Sequence, residues 1–141
     1  MSWTPAQLST HQDHVVAHVI DATVLGYFIF DETLHLILDI GFVWTIYLDG
    51  QMVLLPRRAA INEMEVETEV RQQLTAEADL LEAAGDSELK YWNRMPVDCV
   101  IEQVELYESE SGRRIVLAGG SSSVVIETSL VTAEISVSVL A

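Results

Sequence analysis

Hydrophobic and polar residues alternate over several short stretches in the first third of the chain. Alternation is present at residues 34–38 and 42–48, residues 27–30 form an apolar stretch before them, and polar or glycine-containing turns separate the three. A period of two residues is typical of antiparallel strands that bury one face and leave the other in water. We therefore expect a three-stranded meander here, with Trp44 on the buried face.

A fourth strand is expected to pair with the third. Asp49 and Gly50 fit a two-residue hairpin turn, because glycine accepts positive φ angles. The returning strand covers residues 52–55, and Pro56 ends it because proline has no N–H group for the ladder. Gly26, inside the first strand, marks an expected bulge.

A second set of alternating stretches occupies the last third of the chain. These stretches are residues 97–107, 113–118, 123–128 and 130–140. Turn signals come roughly every eight or nine residues in both sets, the spacing expected of short antiparallel strands. The similar layout leaves an internal duplication open, although the two sets share no clear sequence identity.

The segment between the two sets, residues 63–84, favours a helix. Its apolar residues recur at helical spacing, at Val66, Val70, Leu74, Ala78 and Leu81. Glu, Gln, Ala and Leu are strong helix formers, and Asn62 and Gly85 suit the two ends. Residues 63–70 also alternate strictly between polar and apolar, so a strand over that part stays an alternative.

The N-terminal segment allows two interpretations. Thr4 and Pro5 form a good helix start, a hydroxyl cap followed by proline at the first helical position. A helix over residues 5–19 places Leu8, Val15 and Val19 on one face. The alternative is a strand that begins at Val15, because several of the residues that follow are β-branched.

These elements predict the α+β class: antiparallel meander sheets packed on one long acidic helix, with a short N-terminal helix. A length of 141 residues suggests a single domain over residues 1–141. A chain of this length buries roughly two-thirds of its unfolded surface, so its core needs no disulfide or metal.

The charge balance of the chain restricts its partners. The formal net charge is −15, with seven Lys and Arg against 22 Asp and Glu. Such a surface disfavours nucleic acid and anionic membranes, which attract Lys and Arg. It favours fast encounter with a basic protein.

Three features make a cytoplasmic location the expectation. Cys99 is the only cysteine, so an intramolecular disulfide is impossible, and we expect its thiol to fill core space. The first residues lack the basic and apolar regions of a signal peptide. Apolar runs are far shorter than the roughly 20 residues that a membrane helix needs.

Candidate catalytic and metal-binding groups are weak in this sequence, and it predicts no cofactor and no catalytic residue. His11, His14 and His18 share one helix face, where a polar surface competes with a metal site as the explanation. Asp31, Glu32 and His35 cluster at a turn, which Asp and Glu favour for backbone reasons alone. The Gly-Gly-Ser-Ser-Ser stretch at 119–123 leads into a strand, so it predicts a hairpin loop.

Carboxylates are the most abundant polar feature and carry the leading functional hypothesis. They open and continue the predicted helix, Glu77 included, and gather on the strand around residue 105. We expect an acidic face that binds a basic protein, as an inhibitor or immunity protein does. The predicted partner-binding residues are Glu63, Glu67, Glu102 and Glu105.

Two alternative functions stay open. A small-molecule, anion-binding or enzymatic site is the first, with a pocket formed by Arg57, Tyr91, Trp92 and Arg94. Self-association is the second, because the long strand from Leu130 to Leu140 invites edge-to-edge pairing.

Overall fold

A computed structural model describes residues 2–83 and 89–140. In this part of the chain there are nine strands and three helices. The strands are β1 (Thr4–Pro5), β2 (Thr23–Phe30), β3 (Thr33–Leu38), β4 (Phe42–Tyr47), β5 (Met52–Pro56), β6 (Asn93–Glu108), β7 (Gly112–Gly119), β8 (Ser123–Ser129) and β9 (Ile135–Leu140). The helices are α1 (Thr10–Val19), α2 (Arg57–Glu63) and α3 (Thr68–Glu82).

All strand pairs are antiparallel and join into one sheet in the order β5-β4-β3-β2-β6-β7-β8-β9. The long strand β6 connects the two halves, because its first part pairs with β2 and its second part with β7. The short strand β1 pairs with the end of β6. The predicted α+β class with an antiparallel sheet is confirmed.

Side chains from both halves of the sheet meet in one hydrophobic core. Leu36 and Trp44 contribute to it from β3 and β4, and Leu117 and Ile126 from β7 and β8. All four are fully buried, and Val19 of α1 joins them. The alternation of period two therefore identified the core-facing side of these strands, Trp44 included.

A second cluster covers the opposite face of β2 and β3. All residues from 34 to 38 are buried, so β3 has no face in water, contrary to the one-sided burial that its pattern predicted. The cluster joins strand residues to α2, α3 and the residue before β6, through Phe28, Ile37, Ile61, Leu74, Ala78, Leu81 and Trp92. Helices that cover this face exclude water from both sides of the strand.

The predicted single helix over residues 63–84 is wrong. The chain forms two helices, α2 and α3, and residues 64–67 between them are not helical. The guanidinium of Arg71 donates to the carbonyl oxygens of Met64 and Val66, at 3.1 and 3.4 Å, and so fixes the break. The strict alternation of this stretch was the signal against a continuous helix. Residue 84 lies outside the described residues.

The predicted helix start at Thr4 and Pro5 is also wrong. These two residues form β1, and α1 begins five residues later, after Ser9. The hydroxyl of Ser9 accepts from the Gln12 N–H at 3.1 Å, and the Gln12 side chain accepts from the Ser9 N–H at 2.8 Å. This reciprocal capping box satisfies two N–H groups of the first turn, which a Thr-Pro pair does not do.

Strand and turn boundaries differ from the prediction at three places. The last strand begins at Ile135, because residues 130–134 form the connection between β8 and β9. The connection between β4 and β5 has four residues, 48–51, and the Tyr47 N–H donates to the Gln51 carbonyl oxygen at 2.8 Å. The turn after β2 has two residues and not three, because Thr33 already pairs with Phe30.

Gly26 forms the predicted bulge, and close packing explains why it is glycine. The register of β2 shifts between Val24 and Gly26 against both of its neighbours. A Cβ atom at Gly26 would lie 2.8 Å from the Asn93 carbonyl oxygen and from a methyl carbon of Leu81. Any other residue would push α3 or β6 away from β2.

Candidate functional site: an apolar groove with an acidic rim

The apolar groove, as we name it, lies between the end of β2 and the beginning of α3. Its volume is about 400 Å³. Its lining consists of Phe28, Ile29, Phe30, Glu65, Val66, Glu67, Val70, Leu74 and Tyr91. Ile29 and Phe30 are 45% and 36% exposed, which is high for large apolar side chains that precede a tight turn. The groove thus combines an apolar floor with two exposed carboxylates.

Ring contacts of Phe28 support the floor of the groove. Phe28 stacks on the His35 imidazole, with ring centroids 4.6 Å apart, and meets Trp92 edge to face at 4.5 Å. The Trp92 indole N–H donates to the Leu74 carbonyl oxygen at 3.1 Å. These contacts connect β2, β3, α3 and Trp92, the residue before β6, beneath the groove.

Glu77 positions Tyr91, one of the residues that line the groove. Its Oε1 atom accepts from the backbone N–H groups of Tyr91 and Trp92, at 2.6 and 3.2 Å. The side chain is fully buried, and its Oε2 atom has no hydrogen-bond partner in the described part of the chain. One carboxylate of α3 therefore holds Tyr91 in the groove and Trp92 in the core.

A second cavity adjoins the groove, and we call it the acidic cavity. Its volume is about 320 Å³, and it shares Phe30 and Glu65 with the groove. Its lining is completed by Asp31, Thr33, His35, Thr45, Tyr47, Glu63 and Met64. Its three carboxylates lie on exposed residues, so they make this end of the site electronegative.

His35 does not offset the negative charge of the acidic cavity at neutral pH. Burial lowers the pKa of His35 from 6.5 to about 4, so its imidazole is uncharged there. Its Nδ1 atom lies 3.1 Å from the Thr45 hydroxyl, within hydrogen-bond distance. A base with this pKa is poorly matched to catalysis near neutral pH.

Folding stability is expected to depend on pH through His35. The His35 imidazole takes up a proton near pH 6.5 in the unfolded chain, but only near pH 4 in the folded chain. The unfolded state binds more protons between these values, so stability is fully present above pH 6.5 and falls as the pH is lowered. Between pH 6.5 and about pH 5 the loss is about 2 kcal/mol.

Urea unfolding at several pH values measures this loss, and His35→Gln is the control. The variant has no imidazole, so its stability should change less over the same interval by about 2 kcal/mol. An unchanged slope in the variant would show that other groups cause the pH dependence.

Neither the apolar groove nor the acidic cavity is lined by all four residues of the predicted ligand pocket. Arg57 pairs with Asp79 at 2.7 Å and also with Glu82, so its charge is engaged on α3. Trp92 is buried beneath the groove, and Arg94 lies on β6 opposite Gly26. Of the four, Tyr91 alone lines the groove.

The four predicted partner-binding glutamates fall into two places. Glu67 lines the apolar groove and Glu63 the acidic cavity. Glu102 and Glu105 lie on the second part of β6, where the Glu105 carboxylate accepts from the Tyr107 hydroxyl. Glu65 was not among the predicted partner-binding residues, yet it lies between the two cavities and lines both.

Other candidates from the sequence lie elsewhere. His11, His14 and His18 line a cavity of about 330 Å³ between α1 and β5. Within residues 2–83 and 89–140, no group of three or more His, Cys, Asp or Glu side chains is placed to hold a metal ion. Cys99 belongs to the core, as predicted, and burial raises the pKa of its thiol.

The glycine- and serine-rich stretch at 119–123 forms the predicted hairpin between β7 and β8. The Gly119 N–H donates to the Ser122 carbonyl oxygen at 2.9 Å. The Ser122 hydroxyl donates to the Asp98 carbonyl oxygen at 2.7 Å. These bonds give the stretch a structural role in the loop.

Comparison with known proteins gives no further assignment, because no protein-family model, curated protein or solved structure matches the chain. Among the helices in the described ranges, none has the length and apolar character to cross a bilayer.

Proposed function

We propose that the protein is a non-enzymatic binding module that takes a basic segment of another protein into the apolar groove. The observation that carries the proposal is the junction of two cavities at Phe30 and Glu65, one apolar and one rich in carboxylates. An apolar side chain fits the first, and a Lys or Arg side chain is attracted to the second. Inhibition of a basic protein is the role that such a module serves most directly.

The charge around the site supports a basic partner. Asp31, Glu63, Glu65 and Glu67 are all exposed, and in the described ranges none of them belongs to an ion pair. The chain carries a net charge of −15, so its own few cations leave a strong negative field. A cationic partner is steered by this field and meets carboxylates that are not already neutralised.

The composition of the groove favours binding over catalysis. Its lining includes two carboxylates and one phenol, but no thiol, imidazole or aliphatic hydroxyl. His35 in the adjoining cavity is neutral and in contact with Thr45. Covalent catalysis needs a nucleophile beside a base, and the groove lining does not supply that pair.

The test is the binding of a fluorescently labelled peptide in which lysine and valine alternate, Lys-Val-Lys-Val-Lys-Val-Lys, followed by anisotropy. We expect saturable binding that weakens by about tenfold or more between about 50 and 500 mM salt, because exposed charges are screened. The matched control replaces every lysine with glutamate and should not bind. Equal binding of the two peptides, or affinity that salt does not change, would contradict the proposal.

Self-association is a second candidate, favoured by the position of β9. This strand lies at one end of the sheet and has a neighbour on one side, β8, among the described strands. Its residues, Ile135–Leu140, carry no charge or proline that would block pairing with a second copy. Sedimentation at high concentration distinguishes a dimer from the monomer that the first candidate permits.

A further inference from the structure

The end of β2 borders the apolar groove, because Phe28, Ile29 and Phe30 line it. Asp31 and Glu32 form a two-residue turn with positive φ angles of 52° and 60°, and Phe30 pairs with Thr33 across it. Residues of an antiparallel strand alternate in the direction of their N–H and C=O groups. Phe30 closes the turn with Thr33, so its main-chain N–H and C=O groups point toward β3. The N–H and C=O groups of Ile29, the preceding residue, therefore point away from β3.

The neighbouring strand β6 stops short of Ile29. Its ladder with β2 reaches Tyr27, which pairs with Asn93, and the described ladder goes no further in this direction. In the same register, Tyr91 would lie opposite Ile29. The Tyr91 N–H instead donates to the Glu77 carboxylate at 2.6 Å, so the chain bends toward α3 at that residue.

Because Tyr91 bonds to Glu77, the main chain of β2 at Ile29 has no partner strand in the described β2–β6 ladder, and this short open edge lies beside the apolar floor of the groove. The groove is lined on one side by residues 28–30 of β2 and on the other by Val66, Val70 and Leu74. An open strand edge next to apolar pockets is the arrangement in which proteins add a peptide as an extra strand. The main chain of the peptide pairs with the edge, and its alternate side chains enter the pockets.

We infer that the basic partner of this site is an extended segment that pairs with Ile29 as an added strand. Its apolar side chains enter the groove, and its lysines or arginines meet Glu65 and Glu67 at the rim. This inference rests on the proposed function and specifies the conformation of the ligand. A partner that presents a helix or a folded surface would use the same carboxylates without pairing to the main chain of Ile29.

N-methylated forms of the Lys-Val peptide test the strand pairing. Alternate N–H groups of an extended chain point to opposite edges, so methylation of the valine nitrogens and methylation of the internal lysine nitrogens block different edges. One isomer should lose about tenfold or more in affinity, while the other keeps the affinity of the parent peptide. Equal affinities of the two isomers, whether retained or lost, would overturn strand pairing.

Hydrogen exchange at Ile29 gives an independent readout in the same complex. Its amide should exchange at least about tenfold more slowly when the parent peptide is bound, because a new hydrogen bond protects it. Binding of the parent peptide with unchanged exchange at Ile29 would overturn strand pairing and leave the proposed function intact. If the parent peptide does not bind at all, the proposed function itself fails.

Discussion

Replacement of Glu77 with alanine is expected to lower the free energy of unfolding by about 4 kcal/mol. The Glu77 carboxylate is fully buried and accepts from the N–H groups of Tyr91 and Trp92. Alanine leaves both donors without this partner, the buried Trp92 N–H among them, and opens a cavity beside α3. Urea unfolding followed by tryptophan fluorescence measures the change, because Trp92 lies at the site of the substitution.

Glu77→Gln is the matched control for this prediction. Its amide oxygen can accept from the same two N–H groups, and its NH₂ group takes the place of Oε2, which has no partner in the described part of the chain. We expect its stability to stay within about 1 kcal/mol of the parent protein. If glutamine and alanine destabilise equally, the hydrogen bonds to Tyr91 and Trp92 are not what the carboxylate contributes.

Reversal of charge at the rim, Glu65→Lys with Glu67→Lys, is expected to weaken binding of the Lys-Val peptide by about 100-fold. Both glutamates line the groove, and Glu65 also lines the acidic cavity. The substitution removes two attractive carboxylates and places two cations where the lysines of the peptide would lie. Both positions are exposed, so the fold should be preserved. Fluorescence anisotropy at low salt measures the loss.

A second double variant separates the rim from net charge alone. Glu102→Lys with Glu110→Lys makes the same change in net charge at exposed positions that do not line the groove or the acidic cavity. We expect it to weaken peptide binding by about threefold or less, because screened charges act weakly at a distance. Similar losses in the two double variants would mean that the whole acidic surface binds the peptide.

The sheet could be predicted from the sequence because alternation and turns are local signals. Trp44 alternates along its strand with Phe42 and Ile46 and lies in the core, and Gly26 interrupts a strand and forms a bulge. Which strands leave one face in water was harder to predict. Burial of β3 on both faces depends on α2 and α3, which come later in the chain, so the strand itself does not encode it.

The candidate site depends on contacts between residues far apart in the sequence. Glu77 belongs to a series of glutamates that resemble a solvated surface, yet it is fully buried. The helix sequence does not indicate this, because the partners of Glu77, residues 91 and 92, lie beyond the end of α3. The break between α2 and α3 at residues 64–67 places Glu65 and Glu67 at the rim of the groove. The helical spacing of the apolar residues in this segment predicts a continuous helix, so it gives no sign of the break. Two local signals were present: the alternation over residues 63–70, and the apolar pair Ile29 and Phe30 before a polar turn.

The most direct test of a groove that binds basic segments is an amide chemical-shift titration of the isotope-labelled protein with the Lys-Val peptide. We expect saturable shifts concentrated at residues 28–30, Val66, Val70 and Tyr91, which surround the apolar groove. Shifts spread over the glutamates of β6, or confined to β9, with no change at Ile29 and Val70 would contradict this expectation.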